Sequence, residues 1–397
     1  MNKFSVMDSE CACGQKHFDI NVEKIVIESG ALNGVVEFLR EKALSHILLV
    51  VDENTYKAAG RALCNLLSNS IYNVDICLLK PDDLNDVVAN ESSIVQLLLA
   101  APQNVDVLLA VGSGTIHDIT RIVSFKMSKP FISVPTAPSV DGFSSMGAPL
   151  VIRGVKTTYQ TQAPIAVFAD LEVLVKAPKK MIAAGFGDML GKYTSLADWR
   201  FSSLIGGEAF CPLSFDVTKG ALETCVNNLE LIAAGESEGI KVLMEALINS
   251  GFAMLLIGQS FPASGAEHHV SHYWEMEFIR RKKPQVLHGT KVAISCQLVA
   301  DFYKNTVRKS VVRGRSINSK NEILKKVQGN LDTVLEIIDS IPESSVLKEM
   351  VIRLGGETLP AELGISNALI KKSLNEAHYI RDRFTLLRFY NEYIRGQ

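Results

Sequence analysis

The texture of the chain changes after residue 170, and this change constrains the fold more than any other feature. Before it, short β-branched and apolar runs alternate with helix-like stretches. The predicted strands are His46–Asp52, Val74–Leu79, Val105–Val111, Phe131–Val134 and Ile165–Asp170. The predicted helices between them are Gly30–Lys42, Tyr56–Ser68, Glu91–Ala100 and Ile116–Met127. Such alternation is typical of βαβ units with buried parallel strands. The polar segment Gly147–Thr161 is expected to form a hairpin or an ordered loop.

Long amphipathic patterns dominate the rest of the chain, and strand-like alternation nearly disappears. The predicted helices are Lys179–Phe201, Phe215–Ala234, Glu236–Ile257, His288–Thr306, Ser319–Ile341, Ser344–Leu354 and Asn367–Leu386. This pattern predicts an all-helical second half. We expect an α/β dinucleotide-binding domain over residues 1–176 and a helical metal- and substrate-binding domain over residues 177–397. A ligand cleft is expected where the two domains meet.

Composition excludes several classes of function. The 397 residues are 47% hydrophobic and 21% charged, with a formal net charge of -2, so there is no basic footprint for a nucleic-acid partner. The first twenty residues lack the basic and apolar regions of a signal peptide. No stretch reaches the ~18 uninterrupted apolar residues that suggest a membrane span. Seven scattered cysteines indicate reduced thiols, and we expect a cytoplasmic protein.

Three potential metal ligands lie near the N-terminus, where Cys11, Cys13 and His17 form a C-x-C-x3-H cluster. Structural zinc sites use four ligands, and no second cysteine pair accompanies this one. The sequence therefore favours a surface terminal segment over a zinc site.

A glycine-rich turn follows the predicted strand Val105–Val111. The residues Gly112-Ser113-Gly114-Thr115 stand between that strand and a helix pattern that starts near Ile116. Backbone N–H groups at such a turn and the helix dipole favour a phosphate group. His117 stands where the third glycine of the dinucleotide fingerprint would fall. The turn is therefore either a phosphate cradle or a plain connection between strand and helix.

Two other strand ends carry polar side chains. Asp52 ends the first predicted strand, where a carboxylate could accept hydrogen bonds from a ribose and would disfavour a 2′-phosphate, a mild argument for NAD over NADP. The strand Phe131–Val134 leads into a hydroxyl-rich loop, residues 135–145, with Asp141 as its one carboxylate. This loop is either a ligand contact at the edge of an open sheet or an ordinary polar loop.

The sharpest local signal is a group of histidines. Four of the eight histidines fall within 21 positions, at 268, 269, 272 and 288. On a helix, His268 and His272 share a face, whereas His269 is turned by about 100°. Asp188, in a stretch of small apolar residues, is either an N-cap or the carboxylate of an Asp/His/His set with His268 and His288. Such a set suits a catalytic divalent metal such as Zn2+ or Ni2+.

Five motifs occur in a defined order along the chain. They are Gly112–Thr115, Pro135–Gly142, Gly185–Asp188, Ser264–His268 and His288-Gly289. Together they resemble the iron-type alcohol dehydrogenase/dehydroquinate synthase superfamily, and within it the bacterial branch of the sn-glycerol-1-phosphate dehydrogenase family, over roughly residues 15 to 390. The resemblance implies a dehydroquinate synthase-like fold: an α/β N-terminal nucleotide-binding domain with a parallel sheet plus an all-helical C-terminal domain.

The resemblance also implies a role for individual residues. The implied metal ligands are Asp188, His268 and His288, and the implied catalytic or substrate-contacting residues are Asp141, Asp188 and His272. The implied nucleotide contacts are Asp52, Gly114, Thr115, Ile116, His117, Asp118, Thr136, Ala137, Pro138, Ser139 and Ser145. Pro138 and Val140 depart from residues that are frequent in relatives, which leaves the cofactor preference less defined than the reaction type.

The implied activity is the reversible, metal-assisted reduction of dihydroxyacetone phosphate to sn-glycerol 1-phosphate by NADH or NADPH. One divalent metal per subunit, Ni2+ or Zn2+, and a homodimer are implied with it. His272 would either contact the substrate and relay a proton or support a metal ligand. Lys192, on the same helix face as Asp188, would either pair with the substrate phosphate or be a solvent-exposed or structural lysine.

Three other functions remain open from the sequence. A glycerol dehydrogenase on the same scaffold would need no cation for a phosphate group. A dehydroquinate-synthase-like cyclase would bind NAD tightly and return it unchanged. A non-catalytic nucleotide-binding protein would have lost a metal ligand, yet all three candidate ligands are present.

Overall fold

The computed structural model describes residue 11 and residues 13–70, 72–313 and 321–395. The first two residues of the predicted helix Ser319–Ile341 lie outside these ranges. The strands are β1 (Lys24–Glu28), β2 (His46–Val51), β3 (Asn73–Leu78), β4 (Val107–Gly112), β5 (Phe131–Pro135), β6 (Gly147–Ile152), β7 (Val155–Gln160) and β8 (Ala166–Asp170).

Six strands form a parallel sheet in the order β1-β8-β5-β4-β2-β3. The strands β2, β4, β5 and β8 are buried along their whole length, which explains why each appears in the sequence as a continuous apolar run. From β2 the chain continues to β3 on one side, whereas from β4 it continues to β5 on the other. Open α/β sheets bind ligands at the carboxyl ends of strands where the order reverses in this way.

The strand β1 was not predicted. Its sequence, Lys-Ile-Val-Ile-Glu, is short and flanked by charges, and it pairs with β8 in register from Lys24 with Ala166 to Glu28 with Asp170. It lies at an edge of the sheet, where pairing with one neighbour suffices. The segment predicted as a hairpin or a loop is a hairpin, because β6 and β7 pair antiparallel outside the main sheet.

Each helix of the first half lies in the stretch of chain that follows a parallel strand. They are α1 (Ala31–Glu41), α2 (Glu53–Thr55), α3 (Arg61–Ser68), α4 (Glu91–Ala100), α5 (Gly114–Lys126) and α6 (Leu171–Leu174). A wide π-helical turn over Tyr56–Gly60 joins α2 to α3.

The second half of the described chain is helical, as predicted. Its helices are α7 (Lys179–Leu190), α8 (Lys192–Phe201), α9 (Pro212–Asn227), α10 (Leu229–Ala234), α11 (Ser237–Ile257), α12 (Ala266–Arg280), α13 (His288–Phe302), α14 (Arg308–Arg313), α15 (Glu322–Gly329), α16 (Leu331–Asp339), α17 (Ser344–Arg353), α18 (Asn367–Glu376) and α19 (Leu386–Phe389). Further π turns span Ser202–Gly206, Tyr303–Val307 and Tyr390–Ile394, and 3-10 turns span Pro360–Leu363 and Ala377–Tyr379.

Several predicted helices are interrupted. The predicted helix Lys179–Phe201 is divided at Gly191 into α7 and α8, and Phe215–Ala234 is divided at Asn228 into α9 and α10. In both cases the apolar periodicity continues across the interruption, so the sequence pattern did not reveal it. The predicted domain boundary at residues 176 and 177 falls between α6 and α7.

One large apolar cluster joins the sheet to the helical half. It contains Ile27 of β1 and Val167 of β8 together with Phe186 of α7 and Trp274 of α12. Among the described helices, α11 alone is long and apolar enough to cross a membrane by length and composition, and 67% of its apolar window is buried in the fold. Buried core helices meet the same two criteria.

Candidate metal centre and nucleotide cleft

Three helices bring the predicted metal ligands together. Asp188 lies on α7, His268 on α12 and His288 at the first position of α13. The Asp188 Oδ1 atom is 3.5 Å from His268 Nε2 and 3.9 Å from His288 Nε2, and the three ligand atoms lie within 4.8 Å of one another. Ligand atoms around a tetrahedral zinc ion are about 3.4 Å apart. The donor set therefore fits one divalent ion.

Glu267 orients one of these ligands. Its Oε1 atom lies 2.7 Å from His268 Nδ1, which leaves Nε2 directed at Asp188. The fully buried carboxylate also accepts hydrogen bonds from the Gly265 N–H and the Thr194 hydroxyl, both at 2.6 Å. A carboxylate behind a ligating histidine fixes its ring and raises its basicity. Sequence reasoning missed this role, although the acidic residue directly before the histidine was a visible signal.

Glycines allow the elements around the centre to approach at backbone contact. A Cβ atom on Gly185 would lie 1.8 Å from the carbonyl oxygen of Pro138, and one on Gly289 would lie 1.8 Å from that of Ala184. The first glycine lets α7 meet the loop after β5, and the second lets α13 meet α7. The close approach of α13 to α7 brings His288 beside Asp188. Backbone contact therefore explains why the motifs Gly185–Asp188 and His288-Gly289 contain glycine.

Asp141 and Lys192 form a buried network with Asp188. The Lys192 ammonium lies 2.8 Å from Asp141 Oδ2 and 3.3 Å from Asp188 Oδ1. The Asp141 N–H donates to Asp188 Oδ2 at 3.0 Å, and the Ser250 hydroxyl donates to Asp141 at 2.8 Å. Burial and the charge of Asp188 raise the pKa of Asp141, and Lys192 opposes that rise. Of the two roles considered for Lys192, this geometry matches the structural one.

A cleft of about 350 Å³ opens between the sheet edge, the β6–β7 hairpin and the helices α12 and α13. Nine of the sequence-predicted site residues line it. They are Gly114, Thr115, Asp118, Ser139, Asp141, Ser145, His268, His272 and His288. The glycine turn and the two histidines of the candidate metal set therefore face the same space, as expected for hydride transfer beside a metal.

The other predicted residues lie beneath or beside the cleft. Asp52 directly follows β2, the strand that pairs with β4. Its carboxylate accepts a hydrogen bond from the Thr55 N–H at 2.8 Å and so caps the N-terminus of α2. Thr136 and Ala137 are buried, the Thr136 N–H donates to the Gly112 carbonyl at 3.0 Å, and Pro138 contacts Gly185.

Ile116 and His117 are each 1% exposed, so their side chains face the interior. The His117 Nδ1–H group donates to the Ser113 carbonyl at 2.9 Å, and Nε2 accepts from the Ser133 hydroxyl at 2.8 Å. Burial lowers the pKa of His117 to about 3, so the imidazole is neutral. Its position in place of a third glycine tethers the turn to β5.

Arg121 is a second residue that sequence reasoning missed. Its fully buried guanidinium donates to Asp118 Oδ1 at 2.9 Å and to the carbonyls of Gly142 and Gly147. Arg121 thereby holds both ends of the loop Gly142–Gly147 against α5. Burial raises the pKa of Asp118 to about 7, against the effect of Arg121.

A cluster of cations lies on the same cleft. Lys156 and Lys291 both pair with Glu275, at 2.9 and 3.0 Å. Arg381 donates to the hydroxyls of Ser260 and Ser264 at 3.2 Å and of Thr158 at 3.1 Å, and in the part of the chain that the structure describes no carboxylate pairs with it. Partial burial, together with the nearby charge of Arg383, lowers the pKa of Arg381 to about 10. These residues are far apart in sequence, so no local pattern predicted them.

Comparison with known proteins places this arrangement in a family. Residues 26–178 match the family model described as iron-containing alcohol dehydrogenase. The chain is 50% identical over 390 residues to a glycerol-1-phosphate dehydrogenase (NAD(P)+) of Geobacillus stearothermophilus, covering 97% of this chain and 96% of the relative. It is 42% identical over 379 residues to that of Bacillus subtilis strain 168, covering 96% and 93%.

The chain belongs to the glycerol-1-phosphate dehydrogenase family. This confirms the resemblance inferred from the five motifs. Solved structures agree in fold: a probable glycerol dehydrogenase from Sinorhizobium meliloti 1021 superposes with a TM-score of 0.66 at 16% identity, covering 91% of this chain and 89% of the other. A 1,3-propanediol oxidoreductase gives 0.68 at 16% identity, with coverage of 94% and 96%. The predicted α/β plus helical architecture is therefore confirmed.

Proposed function

We propose that this chain catalyses the reversible NAD(P)H-dependent reduction of dihydroxyacetone phosphate to sn-glycerol 1-phosphate. The observation that carries the proposal is the cation cluster of Lys156, Lys291 and Arg381 on the cleft that His268 and His288 also line. One carboxylate, Glu275, pairs with both lysines, so the cluster has a surplus of positive charge. A ketone that carries a phosphate group fits such a site, because the phosphate would pair with the cations while the carbonyl group faces the metal ligands. The names of the relatives support the same substrate.

The metal and the nucleotide would supply the reactive groups. When bound, a divalent ion such as Ni2+ or Zn2+ provides a Lewis acid for the carbonyl oxygen, and the nicotinamide provides a hydride for the carbonyl carbon. Asp188, His268 and His288 would hold the ion, with Glu267 fixing the ring of His268. Hydride transfer in a closed cleft requires both partners to be held at short range.

The nucleotide would bind along the edge of the sheet. The N–H groups of the turn Gly114–Asp118 would face its phosphates at the N-terminus of α5, and the hydroxyls of Ser139 and Ser145 would contact it from the cleft wall. Asp52 would accept hydrogen bonds from the ribose. The loop Thr136–Pro138 would support these contacts through its backbone, since its side chains are buried.

The substrate would lie between the metal ligands and the cations. Asp141 faces the cleft and is held by Lys192 and Ser250, so its carboxylate is positioned to accept from a substrate hydroxyl. His272, whose ring centroid is 6.0 Å from that of His268 and 5.7 Å from that of His288, would hydrogen-bond to the substrate oxygen and relay its proton. Arg381 would take the phosphate, because among the described residues its guanidinium has hydroxyl partners alone.

Substrate discrimination tests the proposal directly. We would measure kcat/KM for dihydroxyacetone phosphate and for dihydroxyacetone in the wild type and in Arg381→Gln. Loss of a charge-assisted phosphate contact should lower kcat/KM for the phosphate about 100-fold or more and leave the unphosphorylated ketone nearly unchanged. Arg353→Gln, at an exposed ion pair, is the matched control. A wild type that prefers dihydroxyacetone would make this chain a glycerol dehydrogenase.

We also propose that the protein is a cytoplasmic homodimer. The helix α4 carries an apolar stripe that is exposed in the single chain: Val95 at 49%, Leu98 at 43% and Leu99 at 84%. Ile76 and Leu78 on the neighbouring edge strand β3 are also exposed. Exposed apolar side chains on a helix and on the neighbouring edge strand support an interface between copies. Seven free cysteines are in keeping with a reducing compartment.

A further inference from the structure

Four potential metal ligands converge outside the catalytic cleft. Cys11, Cys13 and His17 from the N-terminal segment meet Cys211, which precedes α9. The Cys11 and Cys211 sulfurs are 3.7 Å apart, and His17 Nε2 lies 3.3 Å from Cys13 Sγ and 3.4 Å from Cys211 Sγ. All four ligand atoms lie within 4.8 Å of one another. Cys211 is the fourth ligand that the sequence pattern lacked, separated from the others by nearly two hundred positions.

The spacing of these atoms matches a tetrahedral zinc ion. With Zn–S bonds of about 2.3 Å and Zn–N bonds of about 2.1 Å, two sulfurs are about 3.8 Å apart and a sulfur and a nitrogen about 3.6 Å apart. The observed separations are within a few tenths of an ångström of these values. A disulfide between Cys11 and Cys211 would instead need an S–S distance of about 2.05 Å.

The chemistry of the ligand set selects the type of metal. Three thiols and an imidazole, without an oxygen ligand, favour Zn2+ over Mg2+ or Ca2+. Four protein ligands fill a tetrahedral site, so no position is left for a substrate or water. The set differs in this respect from Asp188, His268 and His288, which provide three ligands beside a cleft.

The surroundings of the cluster indicate what the metal would fasten. Cys211 is 1% exposed, packs in an apolar cluster with Trp199 and Leu256, and its sulfur accepts from the Ser214 N–H at 3.4 Å. Close to the cluster in sequence, the Phe18 N–H donates to the Leu256 carbonyl at 2.9 Å, and the Phe18 ring covers Gly258. Gly258 in turn lines the catalytic cleft.

We propose that Cys11, Cys13, His17 and Cys211 bind one Zn2+ as a closed structural site. The ion fastens the N-terminal segment to the start of α9 and holds Phe18 against the end of α11. Binding releases the thiol protons to solvent, and its free energy adds to the stability of the folded chain. The proposal is independent of the reaction catalysed in the cleft.

Cobalt spectroscopy distinguishes the two metal sites. We would load the full-length protein with Co2+ and record its absorption spectrum, since thiolate ligands give a charge-transfer band that an Asp/His/His site cannot give. The wild type should show this band and a tetrahedral ligand-field spectrum. Cys211→Ser and, separately, Cys13→Ser should abolish the band, whereas Cys64→Ser, a half-buried cysteine elsewhere, should keep it.

Zinc analysis of the same proteins gives a second readout. Cys13→Ser should lose one equivalent of zinc per chain relative to the wild type and retain the metal bound at the cleft, and His268→Ala should show the reverse. Because Cys13 lies in a terminal segment, its variant tests the site even if Cys211→Ser fails to fold. Absence of the thiolate band from cobalt-loaded wild type, zinc content unchanged in Cys13→Ser, or a Cys11–Cys211 disulfide found by mass analysis would each overturn the proposal.

Discussion

At the scale of single residues, Glu267 determines how His268 can meet a metal. Its carboxylate accepts from Gly265, Thr194 and the His268 ring at the same time, so its position is fixed by elements α8 and α12 together. A histidine held in this way presents one tautomer and one ring orientation. The acid is therefore a positioning residue, whose effect should appear in metal binding.

We predict that Glu267→Gln weakens metal affinity by about 10–100-fold, the usual cost of losing a carboxylate behind a ligating histidine. The measurement is a competitive titration with a chelator of known affinity, at a pH where the protein is folded. Glu277→Gln, on the same helix but paired with Arg280 and Arg281, should bind metal as the wild type does. Equal affinity in all three proteins would contradict the assigned role.

His117 should contribute to the loss of stability in acid. Its pKa is about 3 in the folded protein because it is buried, against about 6.5 in an unfolded chain. Below pH 6.5 the unfolded chain therefore takes up a proton that the folded chain does not. The stability that is present above this pH is lost as the pH falls toward 3, at about 1.4 kcal/mol per pH unit.

We accordingly predict that His117→Gln makes the pH dependence of the free energy of unfolding shallower by about 1.4 kcal/mol per unit between about pH 4.5 and 5.5. Urea unfolding of wild type and variant at each pH provides the measurement. The variant will also be less stable at pH 7, since it disturbs the hydrogen bonds to Ser113 and Ser133. Parallel curves would show that His117 does not titrate differently on unfolding.

The sequence revealed some of these residues and concealed others for a physical reason. Histidines are rare in this chain, so four in 21 positions stand out, and His268 and His288 could be proposed directly. Arg381 and Cys211 could not be proposed from the sequence. Their roles depend on neighbours that are distant in sequence and meet them only in the folded chain. The hydroxyl partners of Arg381 come from two separate segments, the strand β7 and the connection between α11 and α12.

At the scale of elements, the closeness of α7 to its neighbours is what assembles the centre. Neighbouring backbone leaves no room for a side chain at two glycines of this helix. Gly185 touches Pro138, and a Cβ atom on Gly187 would lie 2.6 Å from the Gly289 carbonyl. Both contacts are with backbone, which cannot move aside cheaply. The motif Gly185–Asp188 therefore contains glycines that allow close helix packing as well as the candidate metal ligand Asp188.

We predict that Gly185→Ala lowers the free energy of unfolding by about 1–3 kcal/mol, the usual cost of overpacking, and weakens nucleotide binding by displacing the loop after β5. Gly220→Ala is the matched control, because nothing lies within 4 Å of a Cβ there and alanine is the better helix former by about 1 kcal/mol. Chemical unfolding and NADH titration measure both effects. Similar behaviour of the two variants would contradict the packing argument.

The predictions for elements succeeded where burial imposes a continuous pattern. The strands β2, β4, β5 and β8 are apolar throughout and were located within a few residues. The edge strand β1 was missed, and the division between α7 and α8 was not foreseen. Although the helix is divided at Gly191, the Lys192 ammonium still lies 3.3 Å from Asp188 Oδ1. The two successive helices therefore place these side chains as one continuous helix would.

At the scale of the whole molecule, the proposed homodimer should have a mass near twice the 43.4 kDa of one chain. Light scattering after size-exclusion chromatography at micromolar concentration measures it. Leu99→Asp, in the exposed stripe of α4, should shift the population to monomer, since a charge in an apolar interface is costly. Tyr379→Asp, 76% exposed on another surface, should remain dimeric. A monomeric wild type would contradict the proposal.

The two halves of the molecule meet at one cleft, where we propose that the sheet edge binds the nucleotide. The helices α12 and α13 bring His268 and His288 to this cleft, and the three cations come from β7, α13 and the segment after α18. The most direct test is NADH oxidation with dihydroxyacetone phosphate by protein that has been stripped of metal and refilled with Ni2+ or Zn2+, with the chirality of the product determined. We predict no turnover in the stripped protein, restored turnover after refilling, and sn-glycerol 1-phosphate as the product. Metal-independent turnover, or formation of the sn-3 enantiomer, would contradict the account.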